Sequence, residues 1–178
     1  MDGGINAWKG LTADGPPEAG VAYFEAGESA ADMAALAWAL EDSTRLFYLA
    51  LAGMRPGTGE ADLFMKLVQA EEHHKETLAI LHMDLSPEPV DRFVAGRQII
   101  VLEGGMDMES ALKWAEGRSA AQVLDLALGL ESNAYDRYLK MLDAAPGDLA
   151  REVFRIIAAE EKEHLKKLSQ LLDESAGA

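Results

Sequence analysis

The sequence contains no cysteine among its 178 residues. Disulfide bonds, thiolate zinc sites, iron–sulfur clusters and a cysteine nucleophile are therefore excluded within this chain. Because disulfide bonds are typical of exported proteins, the absence of cysteine gives some support to a cytoplasmic location, which is the compartment we expect.

Positive charge is also scarce. The chain has 16 lysine and arginine residues against 31 aspartate and glutamate residues, and its formal net charge is -15. That balance disfavours non-specific binding to nucleic acid or anionic lipid. The sequence has no apolar run long enough to cross a bilayer, and its N-terminus has no basic segment followed by an apolar one. We therefore expect neither a nucleic-acid partner nor a membrane partner.

Hydrophobic residues make up 49% of the chain, which is enough for one packed domain. Their distribution divides the chain into two parts. Residues 1–28 contain many glycines and the Pro16-Pro17 pair, which prevent a long helix. From Ser29 onward, apolar residues recur at helical spacing. We predict an N-terminal extension or linker over 1–28 and a helical domain over 29–178.

The helical part is predicted to contain four long helices. The first follows Ser29, a favourable N-cap, and ends before the Pro56-Gly57 pair. The other three are predicted over about 59–82, 119–143 and 148–172, with Asp148 as the N-cap of the last. Short turns join the first helix to the second and the third to the fourth, so each pair should be antiparallel.

A long connection, residues 85–118, joins the second helix to the third and includes a short helical piece around Met108–Ala115. Such a length is unusual in a compact bundle unless the connection crosses the length of the bundle. The second and third helices should then run parallel. The predicted fold is all-α, a four-helix bundle with up-down-down-up topology and one long crossover between helices two and three.

The two halves of this domain match each other at a constant offset of 90 residues, without a gap. Many matched positions are apolar or lie in turns, such as Pro56-Gly57 and Pro146-Gly147, as two copies of one helical hairpin require. The informative matches are polar and include Glu41 with Glu131, Glu71 with Glu161, and His74 with His164. A helical hairpin does not need these residues for its core, so they indicate a site.

The polar matches have the chemistry of a dinuclear metal centre. Glu41 and Glu131 each follow an apolar stretch, and a buried carboxylate costs several kcal/mol unless it is paired or bound to metal. The Glu-x-x-His spacing places a carboxylate and an imidazole on one helix face. The candidate ligands are Glu41, Glu71, His74, Glu131, Glu161 and His164. The alternative is a solvated acidic stripe, as expected for Glu72, Glu76, Glu160 and Glu163, but it does not explain Glu41 and Glu131.

Oxygen and imidazole ligands suit iron or manganese better than copper or a structural zinc. We expect two iron ions, with manganese or zinc as alternatives, and no other cofactor. Tyr48 and Tyr138 each follow a candidate ligand glutamate by seven residues, about two turns along the same helix face. They are either hydrogen-bonding partners of the site or buried aromatic residues whose hydroxyl groups find other partners.

Residues 29–172 resemble the ferritin-like superfamily, and its rubrerythrin branch most closely. The family pattern is one glutamate from each of two helices and Glu-x-x-His from each of the other two. The resemblance implies a di-iron centre that reduces peroxide or dioxygen, and often a homodimer. Rubrerythrins carry a further glutamate where this chain has Ala134, and a four-cysteine rubredoxin-like domain that this chain lacks. Electrons would therefore come from a separate donor protein.

The segment GGINAWKG near the N-terminus resembles the end of a rhodanese-like domain. It suggests that the chain is the C-terminal part of a longer fusion, and the alternative is an unstructured leader. Three functions remain open at this point. The chain is a rubrerythrin-like oxidoreductase, a non-catalytic metal-binding or iron-handling protein, or a helical interaction module of a rhodanese fusion.

Overall fold

A computed structural model describes residues 29–95, residue 102 and residues 106–176. The described residues are all-helical, which confirms the all-α class. The predicted extension over residues 1–28, including the rhodanese-like segment, lies outside the described residues and stays a prediction. None of the described helices has both the length and the apolar character that a membrane span requires.

Six helices are present in the described part of the chain. They are α1 (Ala30–Met54), α2 (Gly59–Leu85), α3 (Val90–Ala95), α4 (Met108–Ala115), α5 (Ala120–Ala144) and α6 (Asp148–Ala176). The four long helices and the short α4 occur where the sequence predicts them. The short α3 was not predicted, and α6 begins at Asp148 itself, so the prediction of Asp148 as its N-cap was wrong.

The first helix begins where a capping box satisfies its free backbone N–H groups. The backbone N–H of Asp32 donates to Oγ of Ser29 at 3.2 Å, and the backbone N–H of Ser29 donates to Oδ2 of Asp32 at 3.0 Å. The same reciprocal arrangement of Ser119 and Gln122 begins α5. These two helix starts correspond under the 90-residue repeat to within a residue, so the capping pattern is part of the duplication.

Glycine sets the turn inside each hairpin. Gly57, between α1 and α2, has a φ of 77°, and Gly147, between α5 and α6, has a φ of 88°. Residues with a Cβ rarely adopt this left-handed conformation, whereas glycine adopts it at little cost. The matched Pro-Gly pairs of the sequence therefore form two equivalent turns.

Side-chain contacts show that each hairpin is antiparallel, as predicted. In the first hairpin the ring of Tyr48 stacks on Phe64, with centroids 5.9 Å apart, while Glu41 meets His74. A residue late in α1 thus lies beside one early in α2. In the second hairpin Tyr138 stacks on Phe154 with a centroid distance of 6.3 Å, which repeats the same register.

Two apolar clusters bracket the middle of the long helices. One contains Phe47, Leu51 and Phe64 and is extended by residues of α4 and by Leu102. The other contains the start of α1, the end of α2 and the apolar residues around Phe154. On each long helix the predicted ligands lie in the sequence between the residues of these two clusters, so apolar layers separate the polar side chains from solvent at both ends.

Candidate metal centre

The six predicted ligands are buried together in the middle of the molecule. The four glutamates are fully buried at 0% exposure, and His74 and His164 are 1% and 4% exposed. They come from four helices, with Glu41 on α1, Glu71 and His74 on α2, Glu131 on α5, and Glu161 and His164 on α6. The structure therefore brings together every residue that the repeat singled out.

The imidazole of His74 lies at the centre of three carboxylates. Its Nδ1 atom is 3.2 Å from Oε2 of Glu71, 3.0 Å from Oε1 of Glu161 and 3.4 Å from Oε2 of Glu41. One ring nitrogen carries either a single N–H or a single lone pair, so it cannot hydrogen-bond well to all three carboxylates. Donor atoms that crowd in this way are arranged as ligands are around a shared cation.

The second imidazole has a similar but sparser environment. Nδ1 of His164 is 3.2 Å from Oε2 of Glu131 and 3.5 Å from Oε2 of Glu161. The rings of His74 and His164 are nearly stacked, with centroids 5.5 Å apart. Glu161 therefore faces both histidines, which is the position of a carboxylate able to bridge two metal ions.

Two of the buried carboxylates have unsatisfied oxygens. Within the described residues, neither oxygen of Glu71 or of Glu161 makes a hydrogen bond of good geometry. A buried charged group without such bonds is costly, and a metal ion would remove that cost. Two sets of donor atoms lie close enough together to hold a metal ion: Glu41, Glu71, His74 and Glu161, and Glu71, Glu131 and His164.

Without a metal, protons must balance part of this charge. Burial, together with the charge of Glu161, raises the pKa of Glu131 to about 8. Burial and the charge of Glu41 likewise raise the pKa of Glu71 well above its usual value. Burial lowers the pKa of His164, but Glu131 and Glu161 outweigh it and raise the pKa to about 9. The metal-free centre thus holds extra protons at neutral pH.

The remaining three groups are two glutamates that stay ionised and a second imidazole that holds a proton. Burial disfavours the ionised form of Glu161, yet His164 and His74 outweigh it and hold its pKa far below the usual value. For Glu41, burial raises the pKa, but the neighbouring carboxyl group of Glu71 and the charge of His74 outweigh it and lower the pKa. The pKa of His74 is lowered by burial but raised more strongly by Glu41 and by α6 glutamates. Two carboxyl groups with lowered pKa values and two with raised pKa values therefore surround the two imidazoles.

Two tyrosines connect the halves of the site. The hydroxyl of Tyr48 donates a hydrogen bond to Oε1 of Glu131, and that of Tyr138 donates one to Oε1 of Glu41. Each tyrosine thus holds the glutamate that belongs to the other half. These contacts favour the interpretation that both tyrosines are hydrogen-bonding partners of the site, over the alternative that their hydroxyl groups find other partners.

Glu160 was predicted to face water, and its side chain is partly exposed but also contacts the site. Its side chain is 41% exposed, but its Oε2 atom lies 3.0 Å from Nε2 of His74, although the ring N–H is not aligned for a straight hydrogen bond. The contact with His74 lowers the pKa of Glu160. The repeat gave no signal for this contact, because the matching residue in the first half is Ala70.

A charged pair covers the outer side of the first hairpin beside the ligands. Lys75, which follows His74, is 8% exposed, and its Nζ atom lies 2.6 Å from Oδ1 of Asp42, which follows Glu41. The same ammonium group lies 4.9 Å from the centroid of the Trp38 ring. The sequence pattern did not single out this pair, because the matching residues of the second half, Ser132 and Leu165, carry no charge.

Buried carboxylate and imidazole donors in this arrangement could hold a metal ion. Neither the protein-family models, nor the curated proteins, nor the solved structures compared with this chain match it. Interpretation of the cluster consequently depends on its geometry and its chemistry.

Proposed function

We propose that this chain is a ferritin-like protein of the rubrerythrin type that binds two iron ions and reduces peroxide or dioxygen. The observation that carries the proposal is the convergence of six buried donor side chains from four helices. Within that convergence, the oxygens of Glu71 and Glu161 have no good hydrogen bonds among the described residues. A separate electron-donor protein and self-association as a homodimer belong to the same proposal.

The proposed architecture is a four-helix bundle formed by α1, α2, α5 and α6 with up-down-down-up topology. The tyrosine contacts support it, because Tyr48 reaches Glu131 while Tyr138 reaches Glu41. Each tyrosine follows the glutamate of its own helix by seven residues and reaches the glutamate of the other helix, and such crossed contacts arise when the two helices run antiparallel. Together with two antiparallel hairpins, this gives the proposed order, with the long connection after α2 as the crossover.

The charge of the cluster fits two divalent ions. Four ionised glutamates and two neutral imidazoles carry four negative charges, which two divalent cations balance. The donor set contains only oxygen and imidazole nitrogen, which iron and manganese accept, and zinc is a further alternative. Glu71 belongs to both donor groups and Glu161 faces both histidines, so these two glutamates are the proposed bridges.

Bound iron would supply a redox pair able to give peroxide two electrons, which with two protons yields two water molecules. The chain's residues set the conditions for that step. Glutamates balance the charge of the metal pair, and the hydroxyl groups of Tyr48 and Tyr138 hold two of the glutamates in place. The apolar clusters on either side keep bulk water away, which strengthens these electrostatic contacts.

The proposal is tested by loading the protein anaerobically with two equivalents of iron(II) and mixing it with peroxide in a stopped-flow instrument. Oxidation should be much faster than that of free iron(II) in the same buffer. Glu131→Ala should lose the acceleration, whereas Glu76→Ala, which removes an exposed carboxylate from α2, should keep it. Oxidation no faster than that of free iron(II) would rule out the peroxidase activity.

A second candidate function, metal binding or iron handling without turnover, has one specific observation in its favour. Ala134, fully buried in the core, occupies the position at which rubrerythrins carry a further glutamate. A protein that binds two metal ions but does not accelerate their oxidation would support this function. A preparation without metal after anaerobic iron(II) loading would contradict both metal functions and leave the helical module of a rhodanese fusion.

A further inference from the structure

The internal repeat is broken at one position beside the metal centre. Glu160 on α6 matches Ala70 on α2, and both residues are half-buried. Glu160 places a carboxylate oxygen 3.0 Å from Nε2 of His74. The methyl group of Ala70 cannot offer the same contact to His164. In the described part of the chain, His164 meets carboxylates through Nδ1 alone.

The two donor groups are also unequal in number. Four residues surround the first position, whereas three surround the second. Glu161 lies closer to the first position, because its oxygen is 3.0 Å from Nδ1 of His74 whereas its nearest oxygen to Nδ1 of His164 is 3.5 Å away. A carboxylate shared by the two positions would therefore lie closer to the first than to the second.

We propose that the two metal positions differ in affinity: the position bounded by Glu41, Glu71, His74 and Glu161 binds its metal ion first. Glu160 is a positioning residue for that position, because it faces the nitrogen of His74 opposite the cluster. This inference rests on the proposed function, since it assumes that the cluster binds metal.

The role of Glu160 follows from the chemistry of imidazole. A carboxylate beside Nε2 favours the tautomer that carries its proton there, which leaves the lone pair of Nδ1 free to bind metal. Such a partner also fixes the ring orientation and makes the ligand nitrogen more basic. Removing a partner of this kind typically lowers metal affinity about 10- to 100-fold. Among the described residues, no carboxylate faces Nε2 of His164 in this way.

Anaerobic titration of the metal-free chain with cobalt(II), followed by visible absorption, tests the inference. Wild-type protein should take up two equivalents in two phases, the first tighter than the second. Glu160→Ala should lower the affinity for the first cobalt ion about 10- to 100-fold and leave the affinity for the second unchanged. Glu160→Gln, which keeps an oxygen acceptor for Nε2, should lower the affinity for the first ion less. The d–d absorption of the first cobalt ion should change in both variants.

Glu163→Ala is the matched control. It removes a carboxylate of the same helix that is 56% exposed and paired with Lys166, and it should leave both phases unchanged. The complementary variant Ala70→Glu places a carboxylate at the matching position on α2 and should tighten the second phase. Circular dichroism of each metal-free variant verifies that its helices are retained.

The outcomes separate the failure of this inference from the failure of the proposed function. Two equivalents bound with equal affinity, or an equal effect of Glu160→Ala and Glu163→Ala, would overturn the inequality of the two positions while metal binding stands. An unchanged second phase in folded Ala70→Glu would count against the positioning role of the carboxylate. If wild-type protein binds no cobalt, the proposed function itself fails.

Discussion

Glu131→Gln should raise the stability of the metal-free protein and at the same time reduce the number of metal ions that the protein binds. Glutamine has nearly the shape of glutamate but carries no charge at any pH. The pKa of Glu131 is raised from 4.5 to about 8 by burial and by Glu161, so the folded metal-free protein keeps this carboxyl group protonated at pH 7. In the unfolded chain the same group is ionised at that pH.

The size of the effect follows from proton linkage. Between pH 4.5 and about 8 the folded state binds one more proton at Glu131 than the unfolded state does, so the free energy of unfolding falls as pH rises. At about 1.4 kcal/mol per pH unit, the loss reaches about 3 kcal/mol at pH 7 and stays below about 1 kcal/mol at pH 5. Glutamine does not ionise, so the variant does not suffer this loss of unfolding free energy. The metal-free variant should therefore be more stable than wild type by up to about 3 kcal/mol at pH 7.

Denaturant unfolding of chelator-treated wild type and variant at pH 5 and pH 7 measures the difference in their stability. Metal analysis of the variant measures how many metal ions it still binds. The gain should be large at pH 7 and small at pH 5, and the variant should bind fewer metal ions than wild type. Glu76→Gln, at an exposed position of α2, should change neither quantity. Lower stability of metal-free Glu131→Gln at pH 7 would refute the reasoning that crowded carboxylates destabilise the empty centre.

Three further outcomes follow from the same geometry. Glu131→Ala should lose at least one metal ion by elemental analysis, and unchanged stoichiometry would count against its assignment as a ligand. Tyr48→Phe removes the hydroxyl donor to Glu131 and should cost about 1 to 3 kcal/mol of unfolding free energy, whereas Tyr135→Phe, at a half-buried position, should cost less. Binding of two divalent ions at pH 7 should release about four protons, because Glu71, Glu131 and both histidines hold protons in the metal-free centre. Calorimetry in buffers of different ionisation enthalpy measures this number, and no proton release would contradict the pKa directions.

Sequence alone predicted most of what positions the site. Apolar periodicity and the two Pro-Gly turns located the four long helices, and the 90-residue repeat selected Glu41 and Glu131 from 31 acidic residues. The repeat was informative because burying a carboxylate in an apolar stretch costs free energy unless the carboxylate has a partner. In the structure all six selected residues are buried, and they lie in two adjoining donor groups.

Contacts between helices were beyond the sequence pattern. The spacing placed Tyr48 on the same face as Glu41, but it could not say that the hydroxyl reaches Glu131 on another helix. The contact of Glu160 with His74 was missed for a related reason, because a periodic pattern assigns a residue to a helix face and not to the direction of its side chain. The short α3 escaped detection because six residues contain too few turns to produce a periodic signal.

The most direct test of the metal centre is an anomalous-difference map at the iron absorption edge, from crystals of protein loaded anaerobically with iron(II). Two peaks per chain are predicted, one within ligand distance of each donor group: Glu41, Glu71, His74 and Glu161, and Glu71, Glu131 and His164. The same measurement at the manganese and zinc edges identifies the metal bound in protein purified without added iron. A map without peaks among these six side chains would contradict the proposal that they form a di-metal site.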